Sequence, residues 1–378
     1  YILILYSLRI NMKILYIFTF DYSLKTWKNS GILDREIEYF NELKKNNIDI
    51  TLITYGDASD EKFAENYGLN IYPLYKHFKR PNLKILRVLK SFIFPIYIKK
   101  NTEFDIIKQN QLQGAWVSIL LKMLTRKKLI IRTGYDVFLF SLKEKKQLYK
   151  KVLIYILTQL SIVISDIYTV TSLDDKKFLE KYYISRKNKI RLRRNWVKFI
   201  NSLNILENRN HNSLISAGRL EKQKNYIQLL DFLKDSTKKI IIYGNGSQKN
   251  NILNYANLNN LEVEIREPIK NNDLIELMRN YTYYVSTSLY EGNPKTILEA
   301  MGAGCIVVAP NTQNNKEVID NKINGYLYDI QTESPLDFLI DDYSEDREMI
   351  SKNAFETIKN NYSLEKFIED ELVELNEI

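Results

Sequence analysis

Two glutamates with seven residues between them, Glu291 and Glu299, bracket the run EGNPKTILE, whose residue types and order describe a place for an anion. A β-rich run ends at Ser286, and the spacing predicts a helix with Asn293 as N-cap and Pro294 as first helical residue. The amides of Lys295, Thr296 and Ile297 are then the unpaired donors of a helix N-terminus, which together with the dipole favour negative charge. Glu291 and Gly292 stand beside those amides, and Glu299 follows well over one turn into the helix. Two such carboxylates can accept hydrogen bonds from vicinal hydroxyls of a sugar or ribose. Taken alone, each is more often a solvated surface carboxylate.

A second cluster is Ser216 to Asn225, SAGRLEKQKN, directly after a predicted strand. Gly218 lets the backbone turn, while Arg219 and Lys224 set a planar fork and a point charge where open α/β sheets bind ligands. Two cations there suit a diphosphate, although in isolation they read as exposed basic residues at a helix start. The run IIIYGNGS places Gly244 and Gly246 after another strand, a short and weakly specific form of a phosphate turn. Asp136, in LIIRTGYD, could orient a hydroxyl or simply cap a turn. His77 and His211 read as surface histidines, and the acidic clusters Asp174 with Asp175 and Asp341, Asp342 with Asp346 as caps or solvated loops. No metal site is expected.

These residues need elements to hold them. Strand-like runs at 13–20, 48–55, 105–108, 128–132 and 168–171 alternate with helical ones at 33–46, 113–124 and 143–164. A second series has strands at 213–217, 239–243, 263–266, 283–286 and 305–309. Such alternation means parallel sheets covered by helices, in two Rossmann-like halves. The division expected is an acceptor- and membrane-facing domain over 12–200, a donor domain over 201–350, and a C-terminal helical segment over 351–378, for which packing back on the N-terminal domain is one option. The polar stretch 201–212 reads as the linker. Because residue 1 is not Met and Met12 opens a good strand, residues 1–11 are expected to be an upstream extension of the reading frame.

The 378 residues, 45% hydrophobic and 27% charged, exclude disorder, collagen-like repeats and coiled coil. One cysteine, Cys305, excludes a disulfide framework, and two histidines leave little for zinc or a catalytic triad. The apolar run Val152 to Ile164 is interrupted by Thr158, Gln159 and Ser161 and falls short of the ~20 residues a bilayer span needs. It reads as a buried helix.

Together these motifs resemble the family 4 glycosyltransferases over essentially the whole chain after Met12. The glutamate pair, the run AMGAGCIVVAP and the later NGYLYD carry the likeness. The resemblance implies a GT-B fold of two facing Rossmann-like domains with a C-terminal helix, and a retaining transferase that needs no cofactor and no metal. It implies that Arg219 and Lys224 hold the diphosphate of a UDP- or GDP-sugar and that Glu299 binds the ribose. Glu291 with the backbone from Gly292 through Asn293 and Pro294 to Lys295 would hold the sugar, and the amides of Thr296 and Ile297 the distal phosphate. Many relatives carry a glycine pair after the first strand, where this chain offers only Gly31. Many also carry a histidine where this chain has Arg132 to Asp136.

The net charge of +9 conceals a strongly basic N-terminal half and an acidic C-terminal half. The stretch from Lys76 to Lys100 holds eight Lys or Arg and no acid, interleaved with apolar residues, and Lys143 to Lys151 forms a second cluster. Basic amphipathic helices suit an anionic membrane, and no nucleic-acid-binding signature accompanies the charge. The reading is therefore a cytoplasmic enzyme, peripheral on the inner face of the cell membrane, that glycosylates a glycan or lipid-linked acceptor in polysaccharide, lipopolysaccharide or capsule biosynthesis. The alternatives are an epimerase or phosphorylase of the same architecture, or a non-catalytic component of a polysaccharide assembly complex.

Overall fold

Short apolar runs bounded by turn residues become strands, and the amphipathic stretches between them become crossover helices. The computed structural model describes residues 12–378 apart from 135–137, 139–146, 187, 199, 201, 205, 292–293 and 340–344. Two units form, one from the described residues up to Arg193 with Ile368–Ile378, the other from Arg194–Phe367.

In chain order the first unit contains β1 (Met12–Ile17), α1 (Leu24–Asn29), α2 (Leu33–Lys45), β2 (Ile48–Thr54), α3 (Ala58–Glu65), β3 (Asn70–Pro73), α4 (Leu74–His77), α5 (Lys84–Ser91) and α6 (Phe94–Asn101). It continues with β4 (Ile106–Asn110), α7 (Ala115–Thr125), β5 (Lys128–Arg132), α8 (Leu148–Ile164), β6 (Ile167–Val170), α9 (Leu173–Tyr182) and β7 (Ile190–Leu192). The parallel sheet has the order β3-β2-β1-β4-β5-β6-β7. Side chains alternate across it. Leu15 and Ile17 share a core with Phe94, Val117 and Ile162 from α6, α7 and α8. Tyr16 and Phe18 turn the other way, onto Phe40 at 5.3 Å and Trp27 at 3.8 Å between ring centroids.

That second face also buries charge. Lys108 of β4 donates to Glu371 and, at 2.6 Å, to the Tyr39 hydroxyl, which itself donates to Glu371 at 2.8 Å. Arg193 pairs with Glu374 at 2.6 Å and donates to the Asp370 carbonyl at 2.7 Å. Burial pushes the Glu371 carboxyl up, but the Lys108 and Arg193 cations and the two hydrogen bonds outweigh it, so it titrates below the usual carboxylate range.

The second unit contains β8 (Asn210–Ala217), α10 (Tyr226–Phe232), β9 (Lys239–Tyr243), α11 (Lys249–Leu258), β10 (Val263–Arg266), α12 (Asn271–Met278), β11 (Tyr281–Val285) and α13 (Lys295–Gly302). Then come β12 (Ile306–Pro310), α14 (Gln313–Lys316), β13 (Tyr326–Tyr328), α15 (Glu345–Asn361) and α16 (Leu364–Asn376), whose residues from Ile368 onward join the first unit. The sheet order is β10-β9-β8-β11-β12-β13, all parallel. The order of strand addition therefore reverses between β8 and β11, with the strands still parallel.

Three expectations change. The stretch 201–212 is not a free linker: Leu206 and Arg209 are buried, Arg209 donates to the Gly304 carbonyl at 2.8 Å, and β8 already starts at Asn210. The units part instead at Arg193 and again at Phe367, not at 200 and 350, because Trp196 and Val197 are buried and Val197 N–H donates to the Tyr362 carbonyl at 2.9 Å. The apolar helix α8 is not a buried helix. Only Thr158, Ser161 and Ile162 are buried, while Leu148, Val152, Leu153, Ile156, Leu160 and Val163 are exposed. Among the described residues no helix is long and apolar enough to cross a membrane.

Candidate active site

The loops that follow β8 and β11 meet where the strand order of the second sheet reverses, the position at which open α/β sheets accept ligands. After β8 the chain turns at Gly218 and enters a 3-10 turn at Lys222–Lys224. A Cβ at Gly218 would lie 2.9 Å from Lys224 Cε, so glycine here leaves room for the lysine side chain. Lys224 Nζ reaches Glu291 Oε1 at 2.5 Å, with side chains 16% and 13% exposed. The structure thus brings together a cation assigned to phosphate and a carboxylate assigned to sugar. Arg219 stands exposed on the same loop and, among the described residues, makes no ion pair.

The two loops are zipped by hydrogen bonds to backbone carbonyls. Leu289 N–H donates to the Gln223 carbonyl at 2.9 Å, Gln223 Nε2 to the Tyr290 carbonyl at 2.6 Å, and Thr287 Oγ1 to the Lys224 carbonyl at 2.9 Å. Asn314 Nδ2 of α14 donates to the Glu291 carbonyl at 2.5 Å. Below them Tyr284 donates its hydroxyl to the Ala217 carbonyl at 3.1 Å. Burial pushes the Tyr226 hydroxyl up to about 12, so it stays neutral beside Ser216.

Helix α13 begins one residue later than expected. Pro294 is its N-cap rather than its first residue, because the Pro294 carbonyl is the first acceptor, taking Ile297 N–H at 3.0 Å and Leu298 N–H at 3.1 Å. The Ile297 amide is therefore committed within the helix and is not a free anion donor. The Thr296 amide meets no acceptor among the described residues. Glu299 is 2% exposed, and its Oε1 receives Asn271 Nδ2 at 2.8 Å and Lys295 Nζ at 3.1 Å. One carboxylate oxygen is thereby saturated from two sides. Gly292, Asn293 and Asp136 lie outside the described residues.

Gly244 and Gly246 have a packing role. A Cβ at Gly244 would fall 1.9 Å from the Gly218 carbonyl oxygen and one at Gly246 2.5 Å from that of Leu220, so these glycines let the β9 loop press against the β8 loop. The Ser247 amide and hydroxyl are already taken by Glu221, at 3.1 and 2.7 Å. Those hydrogen bonds, with the Arg219 charge, hold the Glu221 carboxyl below its usual range. Gly31 is no part of the β1 loop either. It closes the turn after α1 at φ +68, donating its N–H to the Lys28 carbonyl. What approaches the β1 loop is Gly114, where a Cβ would meet Phe20 N at 3.1 Å.

The model of the glycosyl transferases group 1 family matches residues 200–357, the span that holds this site. The amylovoran biosynthesis glycosyltransferase AmsD of Erwinia amylovora is 30% identical over 322 residues, covering 80% of this chain and 84% of that protein. The chain belongs to the group 1 glycosyltransferases. This glycosyltransferase is also 26% identical, over 165 residues, to the UDP-Gal:alpha-D-GlcNAc-diphosphoundecaprenol alpha-1,3-galactosyltransferase of Escherichia coli, covering 40% of this chain and 42% of that one. The solved structure of Anabaena HepE in complex with UDP-glucose superposes with a TM-score of 0.72 at 16% identity, covering 97% and 100% of the two chains. The two Rossmann-like units are those of the GT-B fold.

Sequence reasoning missed the residues that support the charged ones. Asn271 steadies Glu299, Asn314 fixes the Glu291 backbone and Gln223 ties the loops. All three are polar residues in ordinary helix or loop surroundings, and no local pattern marks them. His211 is half-buried, its Nδ1 2.7 Å from Thr282 Oγ1, while His77 stacks on Tyr72. Neither lies among the residues of this site.

Proposed function

We propose that this glycosyltransferase takes its sugar from a nucleoside diphosphate donor and passes it, with retained anomeric configuration, to a hydroxyl of a growing surface glycan carried on lipid at the cytoplasmic face of the cell membrane. The bond between the sugar's anomeric carbon and the donor's phosphate oxygen breaks, and a bond from that carbon to the acceptor oxygen forms. The acceptor's proton passes to the departing phosphate. Arg219, Lys224 and the Thr296 amide supply the positive charge that stabilises the leaving diphosphate, so no metal ion is required. Glu299 receives ribose hydroxyls, and Glu291 receives those of the sugar.

The observation that carries this reading is the Lys224–Glu291 pair at the point where the strand order reverses, with Glu299 following on α13. A cation for phosphate and carboxylates for hydroxyls stand side by side. The HepE complex with UDP-glucose and the names of the AmsD and E. coli relatives support a nucleotide-sugar donor and a polysaccharide or lipid-linked product.

A thermal-shift screen of UDP, GDP, ADP and CMP tests the donor. The matching nucleotide at about 100 times its dissociation constant should add about 2.7 kcal/mol of stability. Transfer should persist in EDTA, and the product's anomeric proton coupling should match the donor's. Glu299→Ala and Arg219→Ala should each abolish transfer with the fold retained by circular dichroism. Near-normal turnover in both would overturn the assignment.

A further inference from the structure

Most of the exposed large apolar side chains among the described residues fall between Leu83 and Ile184, on the first unit. Helix α8 shows why this is no accident of composition. Its 17 residues include small polar Thr158 and Ser161, which face inward, while Leu153, Ile156 and Leu160 face solvent. The helix thus seats Ile154, Leu157 and Ile162 on the core and still carries a second apolar side in solvent, which a surface helix ordinarily lacks. Helix α5 behaves alike: Ser91 is its one buried residue among those described, and Ile85, Leu86 and Leu89 are exposed. Helix α5 packs on α6, α6 on α7 and α7 on α8, so the outward apolar side chains belong to one continuous layer.

Charge selects the occupant of this face. The stretches 76–100, 115–128 and 148–164 contain no Asp or Glu, while Lys84, Lys100, Lys127 and Lys150 are exposed among the apolar side chains. A second copy of the chain would set basic against basic across a two-fold interface. A nucleic acid would leave the apolar side chains in water. An anionic bilayer accepts both, the lysines at the headgroups and the leucines and isoleucines at the acyl boundary.

We propose that the layer formed by α5, α6, α7 and α8 is a membrane-docking face that seats this enzyme on an anionic lipid surface, with α5 and α8 lying in the interface and their outward apolar side chains inserted. The inference deepens the membrane placement proposed above and rests on it only for the choice of leaflet.

Flotation of the full chain with phosphatidylcholine vesicles, with and without phosphatidylglycerol, tests it. The chain should float with the anionic vesicles and detach as salt rises. The paired variants Leu86→Glu/Leu89→Glu and Leu153→Glu/Ile156→Glu should each reduce partitioning at least about ten-fold, and Lys150→Gln about five-fold. All these side chains are exposed, so melting temperature and nucleotide-induced stabilisation should stay at the parent value. Absence of flotation would overturn the inference, as would flotation indifferent to both glutamate pairs. So would concentration-dependent dimers, dissolved by the glutamate pairs, without vesicle binding. A chain that floats but responds to no nucleotide would instead refute the transfer reaction and leave the docking face standing.

Discussion

Glu291→Gln should make the enzyme bind a nucleoside diphosphate more tightly while transferring sugar more slowly. The Lys224 ammonium and Glu291 carboxylate meet at 2.5 Å and are largely withdrawn from water. An arriving diphosphate must displace the carboxylate or share the ammonium with it. At that distance and an effective dielectric constant of about 20, the gross attraction is about 7 kcal/mol. Desolvation of both groups offsets most of it, leaving the roughly 1.5–3 kcal/mol net of a charge-assisted hydrogen bond. Glutamine keeps the shape and removes the charge, so that amount no longer opposes the nucleotide. Since about 1.4 kcal/mol is ten-fold in affinity, calorimetry should show at least about ten-fold tighter binding of the matching diphosphate. Transfer should nevertheless fall, because the sugar hydroxyls lose an ionised acceptor. Lys224→Gln should weaken nucleotide binding, and in that background Glu291→Gln should change it little, since no ammonium is left to release. An equal gain in both backgrounds would mean that Glu291 repels the ligand directly, and the reasoning from competition would be refuted. Weaker binding by Glu291→Gln alone would refute it as well.

Gly244→Ala should destabilise the second unit by several kcal/mol in denaturant melts, because its Cβ would fall 1.9 Å from a backbone oxygen; Gly31→Ala, with open space around it but φ +68, should cost only about 1–2 kcal/mol. Asn271→Ala should raise the donor KM several-fold with kcat nearly unchanged, while Asn271→Asp, which sets a carboxylate against Glu299, should do more damage. Lys108→Met, by leaving buried Glu371 only the Tyr39 hydroxyl and the nearby Arg193 charge, should cost about 3–5 kcal/mol, and Lys108→Met/Glu371→Leu should recover most of it. Glu36 and Glu371 both titrate below the ordinary value of 4.5, so their contribution is fully present above it and is lost as pH falls through their lower folded values. Glu374, shifted upward by burial, offsets part of this. Acid should therefore unfold the first unit below about pH 4, as followed by circular dichroism.

The alternation of strands and helices was legible because periodicity survives in a parallel sheet, and Lys128–Arg132, Lys239–Tyr243 and Val263–Arg266 match their runs residue for residue. Short strands such as Asn70–Pro73 and Tyr326–Tyr328 escaped notice, since three or four residues carry no period. At the site, the charged residues announced themselves and their polar supports did not. At Gly244 the packing demand was not legible. A glycine demanded by a neighbouring backbone and one demanded by a phosphate look the same in sequence, and the 1.9 Å approach to Gly218 appears only in the fold. Helix α8 shows the opposite limit. Hydropathy measures how apolar a helix is, but how much of that apolar surface is covered depends on the layer beneath, here met by Ile154, Leu157 and Ile162 with Thr158 and Ser161.

The two charge halves now make opposite demands on ionic strength. From 201 onward the acids outnumber the bases by 28 to 18, yet this part of the chain is the one proposed to take a dianionic diphosphate. Lys224 is already neutralised by Glu291, which leaves exposed Arg219 and the Thr296 amide to oppose a repulsive background. Salt shortens the reach of that background to about 10 Å at 0.1 M, while contacts at the site are shorter than this and survive. Nucleotide affinity should therefore change little, or even rise, between low and moderate salt. The docking face works the other way. Its lysines act on a charged surface through solvent, so vesicle binding should fall steeply over the same range. Parallel loss of both activities with salt would contradict the division, because it would require the basic half to hold the donor.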